Sequence, residues 1–153
     1  MQTINSVTGQ DQLHALSLQA QALLNARQPE QAVPILRAAL AINADHLDSW
    51  DHLAAALTML DEFAQADEAY EQCYRLGGRF AETLRNAAHN AGYWGNPQRQ
   101  LDHARRLLDQ SAELRCEGLN ACAKALLALS RPVQALAASR QCLLEYPQDK
   151  EAT

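Results

Sequence analysis

Two carboxylates and two imidazoles crowd one short stretch, His46-Leu47-Asp48-Ser49-Trp50-Asp51-His52. Asp48 and His52 are four residues apart, so a helix puts them on one face, with Asp51 and His46 close by. Nitrogen and oxygen donors in that pattern suit a divalent metal. A plainer account competes with it: Asp48 and Asp51 fall where a helix would begin, and the helix dipole favours acids there with or without a metal. The four cysteines, Cys73, Cys116, Cys122 and Cys142, include no C-x-x-C pair. Each occupies an apolar position of a helical pattern, and no group can be named to orient a Cys–His nucleophile. They read as buried packing residues in preference to disulfides, zinc ligands or catalytic thiols. The chain has no Gly-rich phosphate loop and no serine elbow. No catalytic residue, metal or cofactor is therefore assigned, and the chain reads as a non-enzyme.

The elements that must position these residues are helices. In 153 residues, 48% are apolar and 20% charged, which fits one folded domain and excludes general disorder. Leu and Ala dominate while aromatics make up 5%, a balance that predicts an all-α chain. There is no basic leader with an apolar core and no apolar run of membrane-spanning length, so a cytoplasmic protein off the membrane is expected. Charge is uneven: residues 1–78 carry a net −7 and residues 79–153 a net +2. Without a dense basic stripe the chain is a poor nucleic-acid ligand, because phosphate neutralisation needs clustered Lys and Arg.

A period of 34 runs through the sequence. Leu16, Ala20, Leu23, Ala32, Leu36 and Ala39 recur 34 residues on as Trp50, Ala54, Leu57, Ala66, Tyr70 and Cys73. A further step gives Leu84, Ala88 and Ala91, and a fourth copy, one residue late, gives Leu119, Ala123, Leu126, Ala135, Ser139 and Cys142. Pro29, Pro97 and Pro132 share one repeat position, which Phe63 fills in the second copy. That position suits the first turn of a second helix, where proline loses nothing. The late start at Cys116 predicts one extra residue near Leu101 to Arg115. Alanines at the two small positions of each copy predict closely approaching helix pairs. The third copy departs from the pattern, with Gln100 at a small position and Gly92 inside its first helix. Pro34 predicts a kink or a late start in the helix after Pro29.

Trp50, Leu53, Ala54 and Leu57 followed by Ala66, Tyr70 and Cys73 resemble the tetratricopeptide repeat (TPR) signature, and the resemblance extends over residues 13–147. It implies a right-handed α-α solenoid of about eight helices in four hairpins. The corresponding organisation is a flexible N-terminal lead-in at 1–9, one TPR domain over 10–147 with repeats at 13–46, 47–80, 81–115 and 116–149, and a short tail at 148–153. It also implies a concave groove lined by the first helices, which binds a peptide or helix of a partner. The groove positions of the family fall here on His14, Ser17, Gln21 and Asn25 in the first repeat, and on Asp48, Asp51, Thr58 and Met59 in the second. In the third they fall on Glu82, Arg85, His89 and Tyr93, and in the fourth on Glu117, Asn120 and Lys124. Polar residues at such places also solvate a helix, so binding and mere solvation both remain open.

Some relatives clamp a partner's C-terminal carboxylate with Lys, Asn and Arg. Arg85, Asn120 and Lys124 supply only a fragment of that clamp, and Asp48 and Asp51 oppose it, so an acidic chaperone tail is not expected. The resemblance implies a protein-binding adaptor or co-chaperone. Alternatives are a bacterial secretion-type chaperone for an export substrate and an assembly subunit that acts by homo-oligomerising. After Pro147 only QDKEAT follows, too short for a capping helix. Leu136, Cys142, Leu143 and Leu144 are therefore expected to face outward, as a surface for a homodimer or a partner.

Overall fold

The computed structural model describes residues 2–78 and 80–147, with side chains from residue 9 onward. Among the described residues the backbone forms eight helices and no strand: α1 (Gln2–Asn25), α2 (Pro29–Ile42), α3 (Leu47–Met59), α4 (Phe63–Arg75), α5 (Ala81–Trp94), α6 (Pro97–Gln110), α7 (Arg115–Ala128) and α8 (Pro132–Glu145). The chain divides after Gly78 into two compact units, the first holding α1 to α4 and the second α5 to α8. This division lies two residues before the boundary between the second and third sequence repeats. The tail at 148–153 lies outside the described residues.

One turn recurs in all four hairpins. Its key residue has a positive φ: Arg27 at 59°, Asp61 at 59°, Gly95 at 72° and Ser130 at 59°. The next residue donates its N–H to the carbonyl five residues back to close the preceding helix, Gln28 to Leu23 at 2.9 Å, Glu62 to Leu57 at 2.9 Å, Asn96 to Ala91 at 3.0 Å and Arg131 to Leu126 at 2.8 Å. That bond satisfies a carbonyl that the helix end would otherwise leave unpaired. The second helix then opens with Pro29, Phe63, Pro97 or Pro132 as its first residue, as the proline register predicts.

The extra residue is confined by burial. Asp67, Ala69, Tyr70 and Cys73 of α4 recur 34 residues later as buried Leu101, His103, Ala104 and Leu107 of α6. Thr83, Ala87, Ala88, Asn90 and Ala91 of α5 recur 35 residues later, as buried Gly118, Cys122, Ala123, Ala125 and Leu126 of α7. The additional position therefore enters between Leu107 and Gly118. Helix α7 absorbs it by starting one residue early relative to its own core face.

Small residues set the packing of each hairpin. Ala20, Ala54, Ala88 and Ala123 on first helices and Ala32, Ala66 and Ala135 on second helices are all at most 6% exposed. Gln100 breaks that series, and Gly92 explains how the third hairpin tolerates it. A Cβ on Gly92 would lie 3.0 Å from the Gln100 amide nitrogen, so the space lost on α6 is recovered on α5. The third repeat also buries Asn90 and His103 where other repeats bury alanine.

Three expectations are corrected. Helix α1 begins at Gln2, so the backbone is already helical through the stretch whose side chains show no apolar period. Of the two outcomes expected from Pro34, the late start does not occur: helix α2 begins at Pro29 and continues through Pro34, which removes one N–H. Cys116 and Cys142 form a disulfide with Cα atoms 5.3 Å apart, within the span such a bond requires. Burial of these cysteines is as expected, but two packing positions on facing helices also proved close enough to join. Cys142 is fully buried and Leu143 half-buried, whereas Leu136 is 51% and Leu144 84% exposed. The outward surface expected on α8 therefore includes Leu136 and Leu144 but not Cys142.

The open end of this hairpin has two further ties. Arg115 Nε donates to Glu145 at 2.6 Å, and Tyr146 donates its hydroxyl to the Ala112 carbonyl at 3.3 Å. The Arg115 guanidinium, with help from the Gln141 amide, holds the Glu145 carboxyl below the usual carboxylate range. A depressed folded-state value means that this stabilisation is present above the unfolded value of about 4.3 and is lost as pH falls through the folded one. The Tm difference between wild type and Glu145→Gln should therefore shrink as pH is lowered from about 6 to about 3; a constant gap would show that the pair contributes nothing. At the turns, Ser130→Gly should raise stability by about 0.5–1 kcal/mol and Gly95→Ala should lower it by about 1 kcal/mol, read by chemical denaturation.

Candidate functional site

In the second unit, Glu82, Arg85, His89 and Tyr93 recur at three- and four-residue steps and form one stripe of α5. Glu117, Asn120 and Lys124 do the same on α7. An ion pair of 3.8 Å between Arg85 and Glu117 joins the two stripes at one end. At the other end His89, Gly92, Tyr93, Gln100 and Lys124 line an open cavity of about 470 Å³. Three expected binding residues thus converge, and Tyr93 stands 70% exposed beside them. The cavity offers an ammonium, an imidazole, an amide and an aromatic face. Such a set can hold carbonyl or carboxylate oxygens while a side chain packs on the ring.

Asn120 does not belong to this surface. It is 6% exposed and its amide lies 3.7 Å from the Cys116 sulfur, so it supports the base of α7. Arg85 faces Glu117, which offsets its charge. Gly92 and Gln100, not among the expected residues, line the cavity too, and both are departures from the repeat.

In the first unit the expected residues are less gathered. His14, Gln21 and Asn25 of α1 are exposed, and Ser17 is half-buried. On α3, Asp48 and Met59 are exposed, while Thr58 donates to the Ala54 carbonyl at 2.9 Å and is half-buried. Asp51 is half-buried and acts on α4 through its charge. Burial raises the Cys73 thiol to about 12, and the Asp51 carboxylate adds to that shift. Burial likewise holds the Tyr70 phenol well above its usual range, against the opposing Thr58 hydrogen bond and with a contribution from Asp51. His46 Nδ1 lies 2.7 Å from Ser49 Oγ, which engages it within its own turn. Among the described residues no three His, Cys, Asp or Glu side chains come together as a metal site.

A second cavity, of about 330 Å³, opens in this unit on a different face. Its walls include Leu40, Trp50, Leu53 and Leu57, with Arg37 and Glu68 at the polar margin. Trp50 is fixed there by its indole N–H, which donates to the Ala44 carbonyl at 2.8 Å. The period of 34 places Trp50 at a repeat position, and periodicity alone cannot show that a cleft remains beside it.

No family model matches the sequence, and no curated protein sequence does. Solved structures do resemble the fold. One is YrrB, described as a TPR protein with an unusual peptide-binding site, with a TM-score of 0.73 at 15% identity over 87% of this chain and 68% of that one. Another is TTC0263, a thermophilic TPR protein of Thermus thermophilus, with a TM-score of 0.61 at 19% identity over 92% and 77%. The chain has the tetratricopeptide-repeat fold. MamA of Desulfovibrio magneticus RS-1, from its residue 41 to its end, is a further neighbour of this chain, with a TM-score of 0.75 at 14% identity over 90% and 78%. At these identities the likeness concerns the fold alone. Within this TPR fold no helix among the described residues is long and apolar enough to cross a membrane.

The cysteines give a direct measurement. Alkylation of the denatured chain without reductant should label two thiols, Cys73 and Cys122, and after reduction four. In the native state Cys73 should resist the reagent at neutral pH, since a buried thiol held near 12 has almost no thiolate. Four labelled thiols without reductant would remove the disulfide.

Proposed function

We propose that this chain is a non-catalytic protein-binding scaffold, an adaptor or co-chaperone, whose α5–α7 face holds a peptide or helical segment of a partner. The observation that carries the reading is the meeting of His89, Tyr93, Lys124 and Gln100 around one open cavity. An exposed tyrosine beside donors of several kinds has the makeup of a binding hot spot, in which a few residues carry most of the energy. YrrB, with its peptide-binding site, supports the class of ligand. A secretion-type chaperone for an export substrate is the narrower form of the same reading. Nucleic acid is not the proposed ligand, given the net charge of −5. For the cellular setting, the Cys116–Cys142 disulfide favours an oxidising compartment over the cytoplasm expected from the sequence.

A second reading, an assembly subunit that works by self-association, is favoured by Leu136 and Leu144 exposed on α8.

Selection from a displayed random-peptide library tests the scaffold reading. Peptides enriched on the wild type should bind His89→Ala/Tyr93→Ala/Lys124→Ala at least about tenfold more weakly, a loss of about 1.4 kcal/mol. They should bind the surface control Gln98→Ala unchanged. Equal binding to the triple variant would move the ligand off this face.

A further inference from the structure

Two helix faces that the fold elsewhere buries against each other are left exposed at opposite ends of the sequence. In the second unit, Leu101, Ala104 and Leu108 of α6 share an apolar cluster with Ala121, Ala125 and Leu129, which belong to α7 and the turn after it. This is how the second helix of one hairpin packs on the first helix of the next. Carried forward by the period of 35, the α6 positions become Leu136, Ser139 and Leu143 of α8. Carried back by the 103 residues that separate the Arg27 and Ser130 turns, the other positions become Leu18, Ala22 and Ala26, at the end of α1.

The contrast in exposure is sharp. Leu101 is 1% exposed and its counterpart Leu136 is 51%, with Ser139 and Leu143 half-buried beside it; Ala125 is 0% exposed, whereas Ala22 is exposed and Leu18 is 54% exposed. In the first unit Leu36, the counterpart of Ala104, and Ala56, the counterpart of Ala125, are again fully buried, and Val33, the counterpart of Leu101, is half-buried. The exposed faces of α8 and α1 are therefore the two halves of a contact that the repeat already makes internally.

We infer that a second copy of this chain covers these faces, with α8 of one copy packed on α1 of the next in the manner of α6 on α7. The inference rests on the self-association reading and specifies its geometry as head-to-tail. Charge favours unlike ends: residues 1–78 carry a net −7 and residues 79–153 a net +2. Pairing α8 with α8 would instead bring together two exposed copies of Arg140, which lies between Leu136 and Leu144 on the same helical face. A head-to-tail contact leaves one α1 face and one α8 face of each pair free, so it adds further copies until a ring closes or continues as an open chain.

The test is sedimentation velocity on the full chain over a range of concentrations, with no peptide present. The wild type should grow in mass with concentration. Leu18→Asp and Leu136→Asp should each be folded by circular dichroism, since both sites are half open to solvent, and each should sediment as a monomer. Mixed in equal amounts, they should form a heterodimer and stop there, because only one competent α8 face and one competent α1 face remain. A wild type that stays monomeric at the highest concentration would overturn both the self-association reading and this geometry. Association that survives Leu18→Asp, or a mixture that remains monomeric while the wild type assembles, would overturn the head-to-tail contact alone.

Discussion

A two-helix hairpin cannot bury both of its sides by itself, and that limitation governs this chain. Each hairpin is tight internally because alanine stands where its helices meet, and each still presents an apolar flank that only another hairpin can cover. The recurring turn keeps the flanks in register. One positive-φ residue and one six-residue hydrogen bond fix how the second helix leaves the first, in all four copies. Where the register slips by one residue, the slip is confined to the stretch between Leu107 and Gly118, outside the turns.

Much of this was legible in the sequence because it depends on residue size and proline position. Helix starts at Pro29, Pro97 and Pro132, the alanine contacts and the all-helical architecture follow from local sterics repeated at a fixed interval. Features that need two distant atoms to be placed were not legible. The Cys116–Cys142 pairing is an accident of facing helices that no spacing rule announces. The burial of Asn120 under α7 and the half-burial of Asp51 depend on small helix rotations that a position in a repeat does not specify.

The candidate site shows how a departure from pattern reshapes a surface. Gln100 puts a polar amide where the other repeats have alanine, and Gly92 gives up a side chain opposite it. Glycine inside a helix costs about 1 kcal/mol relative to alanine. In return the third hairpin has a polar wall and an open space beside Tyr93 and Lys124. A consensus alanine at each position would restore the packing series and remove that wall.

The bridge at the open end of the last hairpin has a mechanical consequence. It lies at the end away from the Ser130 turn, so the chain from Cys116 to Cys142 forms a closed covalent ring. Tension applied along the backbone would pass through the sulfur atoms and bypass the residues inside the ring. About 90 Å of extended chain would stay hidden from the load until the bond was reduced, and the hairpin that carries Lys124 would be shielded from it.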